Sequence, residues 1–301
     1  MPKKLAGILL GSILAALLGY EVLCFLARPV PEHAFFNPDR FLVIAHRGGR
    51  GLGPEGTLYT FQRAVRMGAD VLEMDLRRTR DGTLVLLHDP TVERTTNGTG
   101  EVRNFALAAL QKLDAGYRWT PDNGRTFPLR GKSLTIPTLA EVFAAFPKTR
   151  MNIEIKDAQP STVKSFCRMI QAHDKTEQVL VASFDAGPLK QFRAECPDVA
   201  TSAAGAEAFF FNGLQKVRLE AVYAPEAEAL QVPAHYGNQP VVTPRLVAAA
   251  HARNLRIHVW TVNDAARMRH FLELGVDGII TDYPDRLLNL LHRGERRPPP
   301  A

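Results

Sequence analysis

The sequence predicts an α/β fold, specifically a (β/α)₈ TIM-type barrel, and three observations carry that prediction. Short apolar runs alternate with segments of helical periodicity over residues 41–291. The candidate strands number close to eight, and the length suits a closed barrel. Several candidate strands also end in charged or imidazole side chains, and strand C-terminal ends form the active face of such barrels. A doubly wound open sheet is the alternative, but no Gly-x-Gly-x-x-Gly fingerprint follows the first strand.

The barrel is expected to follow an N-terminal transmembrane helix. Residues 5–26 are apolar except for their glycines, Ser12, Tyr20 and Glu21. At 1.5 Å per residue this run reaches about 33 Å, the thickness of a bilayer core. Lys3 and Lys4 precede it, which places the N-terminus in the cytoplasm. The expectation is therefore a membrane anchor over residues 1–27. The protein would be single-pass, with its catalytic domain on the non-cytoplasmic side, periplasmic or extracellular. A cleaved signal peptide is the rival reading, but no clean small-x-small site follows the run. Pro29, Pro31 and Pro38 mark a stiff linker over 28–40. The Arg- and Pro-rich residues 292–301 read as a flexible tail.

The barrel elements follow in order. Residues 41–46 form a continuous apolar run, as a strand buried on both faces requires. Residues 57–67 have helical periodicity, with Leu58, Phe61, Ala64 and Val65 on one face. Residues 71–76 and 83–88 are the next strands. The Asp81-Gly82 turn between them is too short for a parallel crossover, which points to a hairpin. Residues 90–137 break the rhythm and read as an insertion on the barrel rim. Later strand candidates lie at 151–155, 179–183, 199–202, 230–232, 257–262 and 278–281. That makes nine candidates for eight places, so one is misassigned or lies outside the barrel.

Composition narrows the function classes. Apolar residues at 46% and charged residues at 23% exclude general disorder. The formal charge of +6 fits anionic substrates or lipid headgroups, or simply a solvated basic surface. No basic-aromatic interleaving is present, so no nucleic-acid partner is expected. Of three cysteines, Cys167 and Cys196 could pair in an oxidising compartment. No Cys-x-x-Cys spacing exists to build a structural zinc site.

The residues at strand ends carry the chemistry. His46 and Arg47 close the first strand, and His88 and Asp89 close the third. Glu73 and Asp75 lie two apart, as do Glu154 and Lys156, so each pair projects to one side. Trp260 and Asn263 stand near the end of a late strand. Buried carboxylates on one face repel one another unless a cation compensates them. Glu73, Asp75 and Glu154 make an all-oxygen set suited to Mg²⁺ or Ca²⁺. A salt-bridge network with Arg47 and Lys156 is the equally weighted alternative. Two imidazoles can act as base and acid in one reaction, and Arg47 and Lys156 can bind an anion such as phosphate. Together these groups fit phosphoryl transfer.

The ordered motifs resemble the glycerophosphodiester phosphodiesterase family over residues 41–291. His46-Arg47-Gly48 is followed by Pro54-Glu55-Gly56-Thr57, Glu73-Met74-Asp75 and Thr79-Arg80-Asp81-Gly82. His88-Asp89 leads into Glu93-Arg94-Thr95-Thr96-Asn97-Gly98-Thr99-Gly100, and Ile136-Pro137-Thr138-Leu139 and Asn152-Ile153-Glu154-Ile155-Lys156 come next. Ser183-Phe184, Trp260-Thr261-Val262-Asn263 and Gly278-Ile279-Ile280-Thr281-Asp282 complete the series. The resemblance implies a (β/α)₈ barrel with His46 and His88 as general base and acid. It implies a divalent cation held by Glu73, Asp75 and Glu154, and phosphate bound by Arg47 and Lys156. Trp260 would belong to the substrate pocket, and Glu55 would stand near the metal. Many members carry Asn after the Pro-Glu, where this chain has Gly56.

The implied activity is hydrolysis of glycerophosphodiesters to glycerol 3-phosphate and an alcohol. Lysophospholipids cut to lysophosphatidic acid are a second substrate class. A non-catalytic barrel that binds phosphorylated ligands, and a phosphatidylinositol-type phospholipase C, are the rival functions.

Overall fold

The computed structural model describes residues 2–157 and 159–293. Its strands are Leu42–Ala45 (β1), Val71–Arg78 (β2), Leu84–Leu86 (β3), Arg150–Ile155 (β4), Val179–Ala182 (β5), Ala200–Thr201 (β6), Ala229–Pro233 (β7), His235–Tyr236 (β8), Gln239–Pro240 (β9), Arg256–Trp260 (β10) and Gly278–Thr281 (β11). Its helices are Pro2–Leu26 (α1), Leu58–Met67 (α2), Leu107–Leu110 (α3), Leu139–Ala145 (α4), Pro160–Ala172 (α5), Ala186–Glu195 (α6), Gly205–Lys216 (α7), Pro244–His251 (α8), Ala265–Glu273 (α9) and Pro284–Leu290 (α10).

Eight parallel strands run in the order β6-β5-β4-β2-β1-β11-β10-β7. A parallel bridge between Ser202 and Ala229 joins the two ends, so the barrel is nearly closed. The ninth candidate strand is β3, which lies off this ring. It pairs antiparallel with β2, with Leu76 opposite Leu86, as the short Asp81-Gly82 turn requires. Gly82 takes φ +89 there, a conformation that suits glycine. The small hairpin β8–β9 is exposed.

Apolar side chains pack on both sides of the ring. Outside, Leu72, Met74, Ile153 and Val181 meet Phe61, Phe143, Phe166 and Phe192 of the helices. Inside, Leu42, Ile44, Val71, Leu180, Ala200, Ala229 and Ile280 form one cluster with Phe35 and Phe36. These two aromatics sit on a 3-10 turn, Ala34–Phe36, where the sequence predicts only a linker. Arg150, the first residue of β4, donates to Phe35 O at 2.9 Å. The turn thus plugs the N-terminal end of the barrel and leaves the other end for chemistry. The 90–137 insertion carries a core of its own, with Val92, Val102, Leu110, Ala115 and Ile136 packed on Val85 and Leu87. Cys167 of α5 and Cys196 after α6 form a disulfide, with Cα atoms 5.9 Å apart.

The membrane expectation is corrected. Among the described residues, no helix is long and apolar enough to cross a membrane. A helix, α1, does form over the N-terminal run. Gly11, Ser12, Gly19, Tyr20 and Glu21 interrupt its apolar residues. The single-pass placement, the membrane contact through this helix and the non-cytoplasmic location of the barrel all lose their support. The tail expected over 292–301 lies, from residue 294 onward, outside the described residues.

Candidate active site

The site begins where β1 ends. His46–Gly48 form a 3-10 turn in which Arg47 takes φ 51 and ψ 34, the left-handed region that a non-glycine residue enters only at a cost. Arg47 N donates to Glu73 Oε2 at 2.7 Å, and Gly56 N donates to Arg47 O at 3.0 Å. Gly48 follows at φ +81, and a Cβ there would lie 2.6 Å from the ring of buried Phe61. The turn is therefore seated on the core of α2. Gly56, at φ +68, occupies a left-handed position. Asn is one of the few other residues that enter that region, so the fold accommodates either there.

His46, Arg47, Glu73, Asp75, His88, Glu154, Lys156 and Trp260 all line one cleft of about 300 Å³. The barrel register explains the convergence. Asp75 lies beside Glu154 across the β2–β4 pair, and Glu73 lies one layer below, beside Asn152. One oxygen from each of Glu73, Asp75 and Glu154 falls within 4.8 Å of the other two.

Both readings of these carboxylates find support in the geometry. Lys156 Nζ pairs with Glu154 at 2.7 Å and Asp75 at 3.3 Å, and Arg47 Nε lies 3.5 Å from Asp75. Charge balance separates the two readings. Arg47 is shared with Glu55 at 2.9 Å, so Lys156 and a shared Arg47 face the three carboxylates. Burial, with Asp75 alongside, pushes the Glu73 carboxyl well above the usual range. Burial also raises Glu154, despite Lys156 beside it. With all three ionised, the trio would carry more negative charge than its side-chain partners neutralise. An all-oxygen donor set with that surplus fits a divalent cation. Glu55 stands outside the trio, bonded to Arg47 and Arg94.

Each histidine is oriented by an aspartate. His46 Nδ1 lies 2.6 Å from Asp282 Oδ1, and His88 Nδ1 lies 2.7 Å from Asp89 Oδ1. Burial opposes the charge on Asp282, but hydrogen bonds from His46 and Arg50 outweigh it and hold the carboxyl at about 2. Asn263 adds a third constraint, donating to Asp282 Oδ2 at 2.8 Å and accepting from Asp282 N at 2.9 Å. Asp89 is likewise held at about 2, against its burial, by Arg94 and His88. Arg94 bonds both Asp89 and Glu55 and so ties the insertion to the His88 and Arg47 positions. Arg77 donates twice to His88 O, which fixes the backbone. Trp260 stands edge-on to Phe184 at 5.7 Å at the cleft mouth.

Asp282, Arg50, Asn263 and Arg94 are functional candidates that the sequence reading leaves without a role. The signal for Asp282 is present: it follows the last strand, as His46 follows the first. Arg50 and Arg94 lie in loops, where strand-end reasoning has no grip.

The family model described as the Glycerophosphoryl diester phosphodiesterase family matches residues 46–286. That range holds every site residue described above. The chain belongs to this family. A glycerophosphodiester phosphodiesterase of Caldanaerobacter subterraneus subsp. tengcongensis is 35% identical over 258 residues, covering 84% of this chain and 98% of that protein. A lysophospholipase D of Mus musculus is 26% identical, covering 93% of this chain and 96% of its own. A crystal structure of a family protein from Silicibacter pomeroyi superposes with a TM-score of 0.72 at 26% identity, covering 87% of this chain and 98% of that one. A phosphodiesterase of Oleispira antarctica, solved with the product sn-glycerol-3-phosphate, gives 0.71 at 24% identity, covering 87% of this chain and 100% of that one. At that identity the last likeness speaks for the fold alone.

Proposed function

We propose that this protein is a metal-dependent phosphodiesterase that hydrolyses glycerophosphodiesters to glycerol 3-phosphate and an alcohol. The observation that carries this reading is the convergence of two aspartate-oriented histidines and a carboxylate trio in one cleft. A binding module needs neither two proton carriers nor a surplus of buried negative charge.

Glu73, Asp75 and Glu154 would hold Mg²⁺ or Ca²⁺, and when bound that ion supplies Lewis-acid stabilisation of the charge on the phosphoryl oxygens. Arg47 and Lys156 bind the phosphodiester anion from the two sides of the cleft. His46 and His88 share the proton work. One imidazole takes the proton of the attacking hydroxyl as its oxygen bonds to phosphorus. The other gives a proton to the alkoxide as the ester P–O bond breaks. The nucleophile is either water or a neighbouring glycerol hydroxyl, which would give a cyclic phosphate first. Asp282 and Asp89 fix the ring orientation so that each Nε2 faces the reacting atoms.

A second substrate reading has its own support. Phe184, 61% exposed beside Trp260, gives the cleft mouth an apolar edge. The similarity to a lysophospholipase D points the same way. Lysophospholipids, released as lysophosphatidic acid, are the alternative substrates.

The test compares glycerophosphocholine and lysophosphatidylcholine with wild type, His46→Ala and His88→Ala. Each variant is expected to lose about 10²- to 10⁴-fold in kcat. Full activity in either variant refutes the acid-base roles. Release of lysophosphatidic acid well ahead of glycerol 3-phosphate selects the second substrate reading.

A further inference from the structure

Beneath the carboxylates, the barrel interior holds a string of polar side chains that the proposed chemistry does not use. His258 of β10 is fully buried, with Phe36 below it. Gln231 is its neighbour across the β7–β10 register, with Nε2 3.3 Å from His258 Nδ1. An amide nitrogen only donates, so in this arrangement Nδ1 accepts and the ring proton sits on Nε2, which like Asn152 Oδ1 has no partner among the described residues. Burial pushes this imidazole down to about 4, so the ring is neutral near pH 7 and keeps its acceptor. Gln231 Oε1 in turn accepts from Asn152 Nδ2 at 3.3 Å. The string therefore has a direction. The amine of Gln231 faces Nδ1 of His258. The oxygen of Gln231 then faces Asn152 and draws its amine, which leaves Asn152 Oδ1 at the far end.

That oxygen calls for a ligand. Asn152 is 2% exposed, and its Oδ1 has no hydrogen-bond partner among the described residues. A buried amide oxygen left unpaired bears its full desolvation penalty, which native interiors rarely accept. Yet Asn152 and Gln231 both line the cleft, and Asn152 is in register with Glu73. An O–H or N–H donor satisfies it; a cation on the neighbouring trio would as well, and that role would show as equal losses on every substrate. A phosphodiester anion carries no proton near neutral pH. Lys156 and Arg47 face Asp75, Glu154 and Glu55 and, in the proposed chemistry, the phosphodiester. The glycerol of a glycerophosphodiester, by contrast, offers two free hydroxyls.

We infer that Asn152 Oδ1 accepts a hydrogen bond from a glycerol hydroxyl of the substrate on the cleft floor, and that His258, acting through Gln231, holds that oxygen toward it. Asn152 then reads the glycerol end of the substrate, and His258 is a positioning residue. The inference rests on the phosphodiesterase reading above.

The experiment compares two substrates, glycerophosphocholine and the glycerol-free diester bis(4-nitrophenyl) phosphate, at saturating Mg²⁺. Asn152→Ala is expected to lower kcat/KM for glycerophosphocholine about 10- to 100-fold, and to leave the glycerol-free diester within about twofold. Calorimetric affinity for sn-glycerol 3-phosphate should fall by a similar factor. His258→Leu should reproduce the selective loss. His258→Asn, whose amide oxygen can replace the Nδ1 acceptor, should recover most of it. If His258→Leu does not fold, Gln231→Met breaks the same link at nearly constant volume. Equal losses on both substrates, or no loss in Asn152→Ala, overturn the inference alone. Wild-type protein inactive on both substrates overturns the hydrolase reading and this inference with it.

Discussion

A histidine carries protons usefully only when its second nitrogen is held, and here each holder is itself held. Asp282 is gripped by Arg50 and Asn263, and Asp89 by Arg94. Replacing Asp282 with Asn keeps the shape and removes the charge that stabilises a protonated His46. Steady-state assay of Asp282→Asn should show a fall in kcat of about 10²-fold or more. Arg94→Ala acts one step further away, through Asp89 and Glu55. It should cost about 10-fold, with KM rising as Arg47 loses its fixed partner. An unchanged kcat in Asp282→Asn would separate His46 from the chemistry. At this scale, His46, His88 and the carboxylate pairs were legible because strand ends and two-residue spacing are printed in the sequence. The holders were not, because Asp282 lies 236 positions from His46 and only barrel closure brings them together.

Elements were legible where local pattern dominates. The β2–β3 hairpin follows from a turn too short for a crossover, and α2 from its apolar face. The 3-10 plug at Ala34–Phe36 was not legible: three residues carry no periodicity, and the barrel end they fill is a tertiary feature. The α5–α6 pair is also tied across the chain, by the Cys167–Cys196 disulfide over a sequence separation of 29. Chain-entropy arguments give such a link about 3.5 kcal/mol. Cys167→Ser with Cys196→Ser should lower denaturant-derived stability by roughly that amount while leaving kcat near wild type, because neither residue lines the cleft. Unchanged stability would mean that packing of Phe166 on Phe192 already fixes the pair.

The whole molecule is a barrel with one end plugged and the other chemical, and the buried string between them gives it a pH dependence. His258 titrates at about 4 in the fold, against about 6.5 in an unfolded chain. Below 6.5 the unfolded chain takes up a proton that the folded chain refuses. Stability therefore falls as pH drops from about 6.5 to about 4, by about 3 kcal/mol in total. Urea titrations of wild type and His258→Asn at pH 7 and pH 4.5 should show a smaller acid loss in the variant. Equal losses would mean that His258 adds nothing to acid sensitivity. The alternating rhythm made this architecture legible from the chain alone. The predicted membrane crossing did not survive: among the described residues no helix is long and apolar enough to span.

The central claim is that Glu73, Asp75 and Glu154 hold a divalent cation on which phosphodiester hydrolysis depends. Its most direct test is glycerol 3-phosphate release from glycerophosphocholine after complete chelation, followed by titration with Mg²⁺ or Ca²⁺, in wild type and Glu73→Gln. The expected result is activity lost on chelation and restored by the ion, with the variant needing about 10- to 100-fold more of it. Undiminished activity in the fully metal-free protein would contradict the account.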